Sequence, residues 1–492
     1  MDRSLSKFED FMNSMRNQRT KDLGLPSNEE LEEKSPLTED QELIKNQVLD
    51  AIQAGNKKII IQGSAGTGKT FLVQYILKEF RKRVKWGRMQ ITAPTNRAVS
   101  VLQEKQPNAP YYMEFSTIHR ALYLKRIVNE KTGTVSFKPD YNPRREAPFH
   151  NTTIAVIDEA SMLNSELLYY LENERYNKTV MIFLGDHKQL NPVGEVKSPI
   201  FLRKSQEGTI IPLRIGETNI DYKSPHYELF ELTKIIRQAE GNPIIHLSYN
   251  LPEIALLEPN ITETGQGYDY CSDFEQIIED IVLMGNDIRY LAWTNEECDR
   301  VNLILRRRIY GTPNKVELGE TIIFSEPYSG SQKDYFNSYE LKIESLKVIT
   351  RKFSALNRFK YDDGSGPQEV TIAEELTYYW INNDVMIIHE DSERVFFDMM
   401  KHLRYLTKFG LSWSAVYYPF IEQFARFGYG FAVTVHKAQG GTFKKVVINM
   451  PNLNRNRAIY ERNSLWYTAI TRAAENVTIY NPAFNQSTKD YL

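Results

Sequence analysis

The chain has 492 residues, 41% of them hydrophobic and 25% charged, which is long enough for two or more cores of an ordinary soluble kind. A formal net charge of -2 provides no bulk positive field, so any grip on a polyanion has to come from local groups. Cys271 and Cys298 form no CxxC and read as reduced core thiols; with no stretch near the roughly 18 apolar residues of a membrane span and no apolar leader, we expect an intracellular, cytoplasmic protein.

Residues 1–34 form a polar, charge-dense arm, with one amphipathic helix expected around "FEDFMNSM". From 35 to 219, short β-rich runs alternate with helical patterns: "KKIIIQG", "RMQITAP", "TIAVIDE" and "TVMIFLGD" each end in a polar or glycine-bearing loop. That alternation predicts a parallel sheet with helices on both faces. Inside this unit, at about 121–150, two alternating segments around "NEKTG" predict a protruding β-hairpin followed by a loop. The α/β alternation returns in "IRYLAWT", "KVVINM" and "NVTIY", predicting a second α/β unit from residues 220–325 and 427–492 and hence a cleft between two similar domains. The intervening residues 326–426, with "YDDGSGPQ", "DVMIIHE" and "RVFFDMM", read as a small β-containing insertion.

The stretch "IIIQGSAGTGKT", residues 59–70, carries GxxxxGK[ST] between a predicted strand and a predicted helix. Gly63, Gly66 and Gly68 let backbone N–H groups turn toward a phosphate, with Ala65, Thr67 and Phe71 in the same cradle, and the helix amino terminus adds partial positive charge. Lys69 is placed for the β/γ-phosphates and the Thr70 hydroxyl for Mg2+. A glycine turn without ligand is the bland alternative, and the strand-loop-helix context disfavours it. The acidic partner is expected at the end of a neighbouring strand, where "TIAVIDEAS" offers Asp158 for the metal and Glu159 to orient or deprotonate water. Together these features predict a nucleoside triphosphate that is hydrolysed.

With "GDHKQLNPV" and "YTAITRA" added, the ordered set of motifs resembles superfamily 1B helicases of the RecD-like branch, over about residues 37–480. The resemblance implies ATP and Mg2+ as cofactors, two RecA-like domains with a β-hairpin (pin) insertion in the first and a small SH3-like insertion in the second. It also implies translocation 5′ to 3′ on single-stranded DNA, with unwinding of duplex junctions by a functional monomer in replication, recombination or repair, and a single-stranded DNA binding protein or replication proteins as partners. By position in the motifs, Gln41 in "LTEDQ" would read the adenine edge, Gln189 would sense the γ-phosphate, and Arg237 and Arg472 would stabilise its transferring charge. Asn191 stands where the family pairs two prolines, a change expected to act on loop stiffness.

For the strand, the resemblance implies contacts from Pro94, Thr95 and Asn96 in "APTNRAV" and from Thr117 and His119 in "STIHRAL". Read from the residues alone, Thr117 and His119 are a helix cap and a packed histidine. In "VTVHKAQGGTF", Thr434, His436 and Lys437 would grip the strand while Gln439 and Gly440 face the nucleotide. Thr294 and Asn295 would cap a helix or touch DNA, Phe137 would be a duplex-splitting wedge or pack on its own hairpin, and Trp413 and Tyr417 would stack bases or fill the insertion's core. Two rival readings remain at this stage: a translocating subunit of a recombination nuclease complex, and a nucleic-acid binding module with an inactive ATPase. The second is disfavoured because Lys69, Thr70, Asp158, Glu159, Gln189, Arg237 and Arg472 are all present.

Overall fold

A computed structural model describes residues 37–483, apart from 85–86, 129–134, 141–146, 193–194, 196, 203–209, 216–217, 224–225, 235–241, 252–258, 263–264, 312–313, 336, 414–415 and 417–419. The helix expected around "FEDFMNSM", Arg237 and Tyr417 lie outside the described residues. The chain divides into two compact units, the first holding the residues up to Pro94 with Ala98–Tyr123 and Tyr141–Gly241, the second Thr95–Arg97, Leu124–Asp140 and the residues from Asn242 onward.

In chain order the early strands are β1 (Lys58–Gly63), β2 (Arg88–Ala93), β3 (Met113–Thr117), β4 (Leu124–Val128), β5 (Val135–Pro139), β6 (Thr152–Ile157), β7 (Val180–Gly185), β8 (Ile210–Ile215), β9 (Thr218–Lys223) and β10 (Glu228–Leu232). Six of them form one parallel sheet in the order β10-β1-β7-β6-β2-β3. Ile59, Ile60 and Ile61 of β1 are wholly buried, as expected of a strand covered on both faces. Helix α1 (Glu39–Gln53) starts from a capping box in which Thr38 and Gln41 satisfy each other's backbone N–H. Helix α2 (Lys69–Arg83) starts at Gly68 and ends in Arg81, Lys82 and Arg83, cations that suit the negative end of its dipole.

Two expectations need correcting here. The first sheet takes its outer strand from Glu228–Leu232, past the expected boundary at 219, because Leu232 joins the same apolar core and β10 pairs along β1 from Ile59↔Glu228 to Gly63↔Leu232. The strand bearing Asp158 is not beside β1 either; β7 lies between them, which brings the loop with Gln189 between the glycine loop and the acid pair. β4 and β5 form the expected antiparallel hairpin, with Phe137 opposite Arg126.

The second unit contains β11 (Asn260–Ile261), β12 (Gly267–Cys271), β13 (Ile288–Ala292), β14 (Thr321–Phe324), β15 (Tyr328–Ser329), β16 (Asp334–Tyr335), β17 (Glu340–Lys342), β18 (Leu346–Asp362), β19 (Pro367–Ile381), β20 (Val385–Ile388), β21 (Phe427–Tyr429), β22 (Ala432–Thr434), β23 (Phe443–Asn449) and β24 (Ala473–Tyr480). Its main sheet runs β11-β12-β24-β23-β13-β22, parallel except where β11 meets β12. Helices α3 (Asn96–Glu104), α4 (Asn295–Tyr310), α5 (Glu390–Leu406) and α6 (Ile459–Ile470) matter below.

Between β13 and β22 the chain makes small antiparallel sheets, with β14 between β17 and β21 and the long β18–β19 hairpin carrying β20. The Ser325 N–H donates to the Arg426 carbonyl at 3.0 Å, closing the loop where the insertion leaves and rejoins its host. "RVFFDMM", expected as β, is helical within α5. The reason is local: His389 caps the helix from outside, three acids fill its first turn, and Met399, Leu403 and Leu406 make a buried stripe at helical spacing.

Candidate functional site

The loop after β1 needs glycine for two physical reasons. Gly66 and Gly68 sit at φ 82° and 74°, a left-handed backbone that residues with a Cβ rarely adopt, and a Cβ on Gly63 would come within 2.7 Å of the Thr67 hydroxyl. Lys69 folds back over this loop and donates to the carbonyls of Gly63 at 2.6 Å and Ser64 at 3.1 Å, while the Thr67 hydroxyl donates to Ser64 at 2.9 Å. Ala65, Thr70 and Phe71 are half-buried around the same turn, with Phe71 edge-on to Tyr75. Gln41, 2% exposed, accepts from the Thr38 N–H and donates to the Thr67 carbonyl, both at 3.1 Å. Both ends of its amide thus tie the cap of α1 to the phosphate loop, and reading an adenine edge would require exchanging them.

At the end of β6, the Asp158 carboxylate accepts the Glu159 N–H at 2.9 Å. Burial pushes the Asp158 carboxyl up, and the Glu159 N–H and the Lys69 ammonium pull it back toward the charged form. Glu159 has φ 52°, a left-handed conformation that costs roughly 1–2 kcal/mol for a residue with a side chain. Such strain concentrates at functional sites, where the surroundings hold it in place. Gln189, 6% exposed, sits in a turn fixed by its own N–H to Asp186 O at 3.1 Å and the Lys188 N–H to Asp186 Oδ1 at 3.0 Å.

A hydroxyl and a carboxylate are hard oxygen donors that suit Mg2+, and two such ligands suffice only when phosphate oxygens and water complete the shell. Among the described residues no group of three or more His, Cys, Asp or Glu could hold a metal alone.

The carboxyl ends of both sheets repeat one arrangement. Ala93 of β2 pairs with Thr117 of β3, so Pro94, Thr95 and Asn96 leave the sheet beside Thr117 and His119. Ala292 of β13 pairs with Thr434 of β22, so Trp293, Thr294 and Asn295 leave beside Thr434 and His436. Thr117 accepts the Arg120 N–H at 3.3 Å and Thr434 the Lys437 N–H at 3.4 Å, each capping a four-residue helix. Burial pushes both His119 and His436 below the usual histidine range, so both imidazoles favour the neutral form. Pro94, Thr95 and Asn96 are half-buried at the start of α3, and Lys437 points to solvent.

Thr294 caps α4, as its bland reading held, by accepting the Glu297 N–H at 3.4 Å. Asn452 then braces the whole turn: its Oδ1 accepts the N–H groups of Trp293 at 2.7 Å and Thr294 at 3.1 Å, and its Nδ2 donates to the Thr294 hydroxyl at 3.1 Å. Sequence reading missed Asn452 and Trp293. For Trp293 the signal was present, since "APTN" and "AWTN" share a spacing, as do "TIHRA" and "TVHKA"; Asn452 is a distant tertiary partner that no local pattern marks.

Arg472, 7% exposed, donates to the carbonyls of Thr468 at 3.2 Å and Gly441 at 3.1 Å. Gln439 is buried and Gly440 takes φ 78° in the turn that runs into Gly441, so these three groups gather around the amino ends of β23 and β24. Phe137 is half-buried on its hairpin. Trp413 does not face outward: it is 7% exposed, packed with Leu403, Leu406 and Val416, with the Arg404 guanidinium over its ring. Its base-stacking expectation is therefore replaced by core packing, because a base would have to displace that cluster.

The AAA domain family matches residues 47–195 and the UvrD-like helicase C-terminal domain family matches 429–480. Protein R530 of Acanthamoeba polyphaga mimivirus is 25% identical over 89% of this chain and 98% of its own. The ATP-dependent DNA helicase dda of Enterobacteria phage T4 is 24% identical over 90% of this chain and 98% of its own. The RecBCD enzyme subunit RecD of Buchnera aphidicola subsp. Schizaphis graminum is 22% identical over 87% of this chain and 70% of its own. A solved structure of Pif1 helicase from Bacteroides with ADP-AlF3 and ssDNA aligns over 90% of this chain and 92% of that one, at 15% identity and a TM-score of 0.46.

Proposed function

We propose that the chain, which resembles superfamily 1B helicases such as the phage helicase Dda, uses ATP to move along single-stranded DNA in the 5′ to 3′ direction and part duplex junctions. The observation that carries this reading is a phosphate-cradling loop and a strained acid pair on one sheet, together with matching threonine-capped turns at the carboxyl ends of both sheets.

In this reading Lys69 exchanges its loop carbonyls for phosphate oxygens, a change the loop makes cheap because the ammonium already lies over it. Thr70 and Asp158 would hold Mg2+, which when bound neutralises charge on the phosphates. Glu159, aimed by its left-handed backbone, orients the attacking water, and Gln189 on the loop between the two motifs responds to the terminal phosphate. Arg237 and Arg472 supply the cations that stabilise the transferring charge. Thr117, His119, Thr434, His436 and Lys437 grip the strand through hydroxyl, imidazole and ammonium groups, which is how a protein of net charge -2 can hold DNA. We place the protein in the cytoplasm, working as a monomer.

Hydrolysis of ATP by the purified chain should rise on adding single-stranded DNA and vanish in Lys69→Ala. A duplex with a 5′ tail should open and one with a 3′ tail should not; opening of only the 3′-tailed duplex would reverse the polarity, and opening of neither would refute the helicase reading.

A further inference from the structure

Tyr460 is 88% exposed and its neighbour Ile459 61% exposed, at the first turn of α6. Single exposed apolar residues are ordinary, as Leu283 at 85% is elsewhere in this unit. What sets Tyr460 apart is its company. Arg455, Arg457 and Arg462 surround it in sequence, against the one acid Glu461, in "NRNRAIYERN". An aromatic face among cations is the composition that binds a single strand, with bases stacked and phosphates neutralised.

The segment is built rather than loose. Asn456, 3% exposed, accepts the Ala458 N–H at 2.9 Å, and Asn454 accepts the Trp466 indole N–H at 3.1 Å. Its location is also set. The chain leaves β23 at the sheet's carboxyl edge, and α6 must return to the amino end of β24, so its first turn lies at the same edge as Thr294 and Thr434. α6 packs against the short helix Val435–Ala438, and the Glu461 charge is felt by His436. Ala458, at the N-cap, has no side-chain oxygen to offer the first-turn N–H groups of α6.

We propose that Ile459, Tyr460 and the preceding exposed Arg455 and Arg457 form a further contact for single-stranded DNA, extending the grip of Thr434, His436 and Lys437, with Tyr460 stacking on a base and the guanidiniums meeting adjacent phosphates. The proposal rests on the helicase reading and says where the strand continues on the second unit.

Equilibrium binding of a labelled oligo-dT to the full chain, by fluorescence anisotropy across a salt series, tests it. Tyr460→Ala should weaken binding about five- to a hundredfold, and Tyr460→Trp should retain it. Arg457→Ala should reduce the slope of log affinity against log salt by about 0.7, the value for one phosphate of a single strand. Circular dichroism melting confirms that each variant is folded. If wild type and Tyr460→Ala bind equally well at every salt concentration, this contact is wrong while the helicase reading stands. If the wild type itself fails to bind oligo-dT, both fall together.

Discussion

The turns after β3 and β22 are the same object built twice. "TIHRA" and "TVHKA" each place a buried threonine at the cap, a buried branched residue under the sheet edge, a half-buried imidazole and an outward cation. The similarity stops at the opposite concerns of the two sheets. Only β1 leads into a glycine loop, while the second sheet instead surrounds the amino ends of β23 and β24 with Arg472, Gln439 and Gly440. In the proposed reading the strand is handled by two equivalent holds used in turn, and the fuel by unlike parts. At the carboxyl edges the threonine turn is duplicated and the glycine loop is not.

The sharpest way to break this contrast is Arg472→Ala. If the second sheet is specialised for the terminal phosphate, DNA-stimulated turnover should drop about 10³- to 10⁵-fold with ATP affinity little changed, as for other arginines of this kind. A loss below tenfold in steady-state kinetics would take the fuel role away from that edge.

A smaller effect tests the equivalence directly. A threonine hydroxyl offered to the strand is a hydrogen bond of about 1 kcal/mol, so Thr117→Ala and Thr434→Ala should each weaken single-stranded DNA binding about fivefold. Similar losses in anisotropy titrations would sharpen the pairing, and a response from one site alone would end it.

The smallest effect concerns a cation near the start of a strand in each sheet, half-buried Lys58 in β1 and buried Arg289 in β13. Burial lowers the Lys58 pKa from 10.5 to about 8. Between those values the unfolded chain binds more protons than the folded one, so stability should rise from pH 8 toward 10.5. Lys58→Met should remove that rise in thermal melts. Arg289 should contribute none, because its guanidinium, though also lowered by burial, stays charged beside Glu340 at 3.3 Å.

Much of this architecture was legible because parallel strands covered on both faces are nearly continuous apolar runs. "IIIQG", "TIAVI" and "VMIFLG" became β1, β6 and β7 with their functional loops attached. What failed to show was whatever depended on distant partners. The place of β10 beside β1 is a tertiary pairing that no local pattern encodes. "RVFFDMM" is too short to show its period, and only the acids and cap upstream reveal a helix. Trp413 looked the same as a ligand platform or as core until Leu403 and Leu406 closed around it. Gln41 kept its expected neighbourhood but not its freedom, since the capping box and Thr67 had claimed its amide.

The insertion between β13 and β22 also sets a timetable. Ala292 cannot find Thr434, nor can β12 find β24, until the chain has grown by well over a hundred residues, whereas every strand of the first sheet has been made by Leu232. At about 5–20 residues per second of synthesis, the interval from β13 to the end of β24 amounts to roughly 10–40 s. During that time β13 waits at the ribosome with both of its flanks unsatisfied, an apolar ribbon that other nascent chains could capture. A long β18–β19 hairpin whose strands are neighbours in sequence can meanwhile fold on its own clock, so synthesis would deliver this protein from the outside in: first lobe, then the guest, and last the host that carries it.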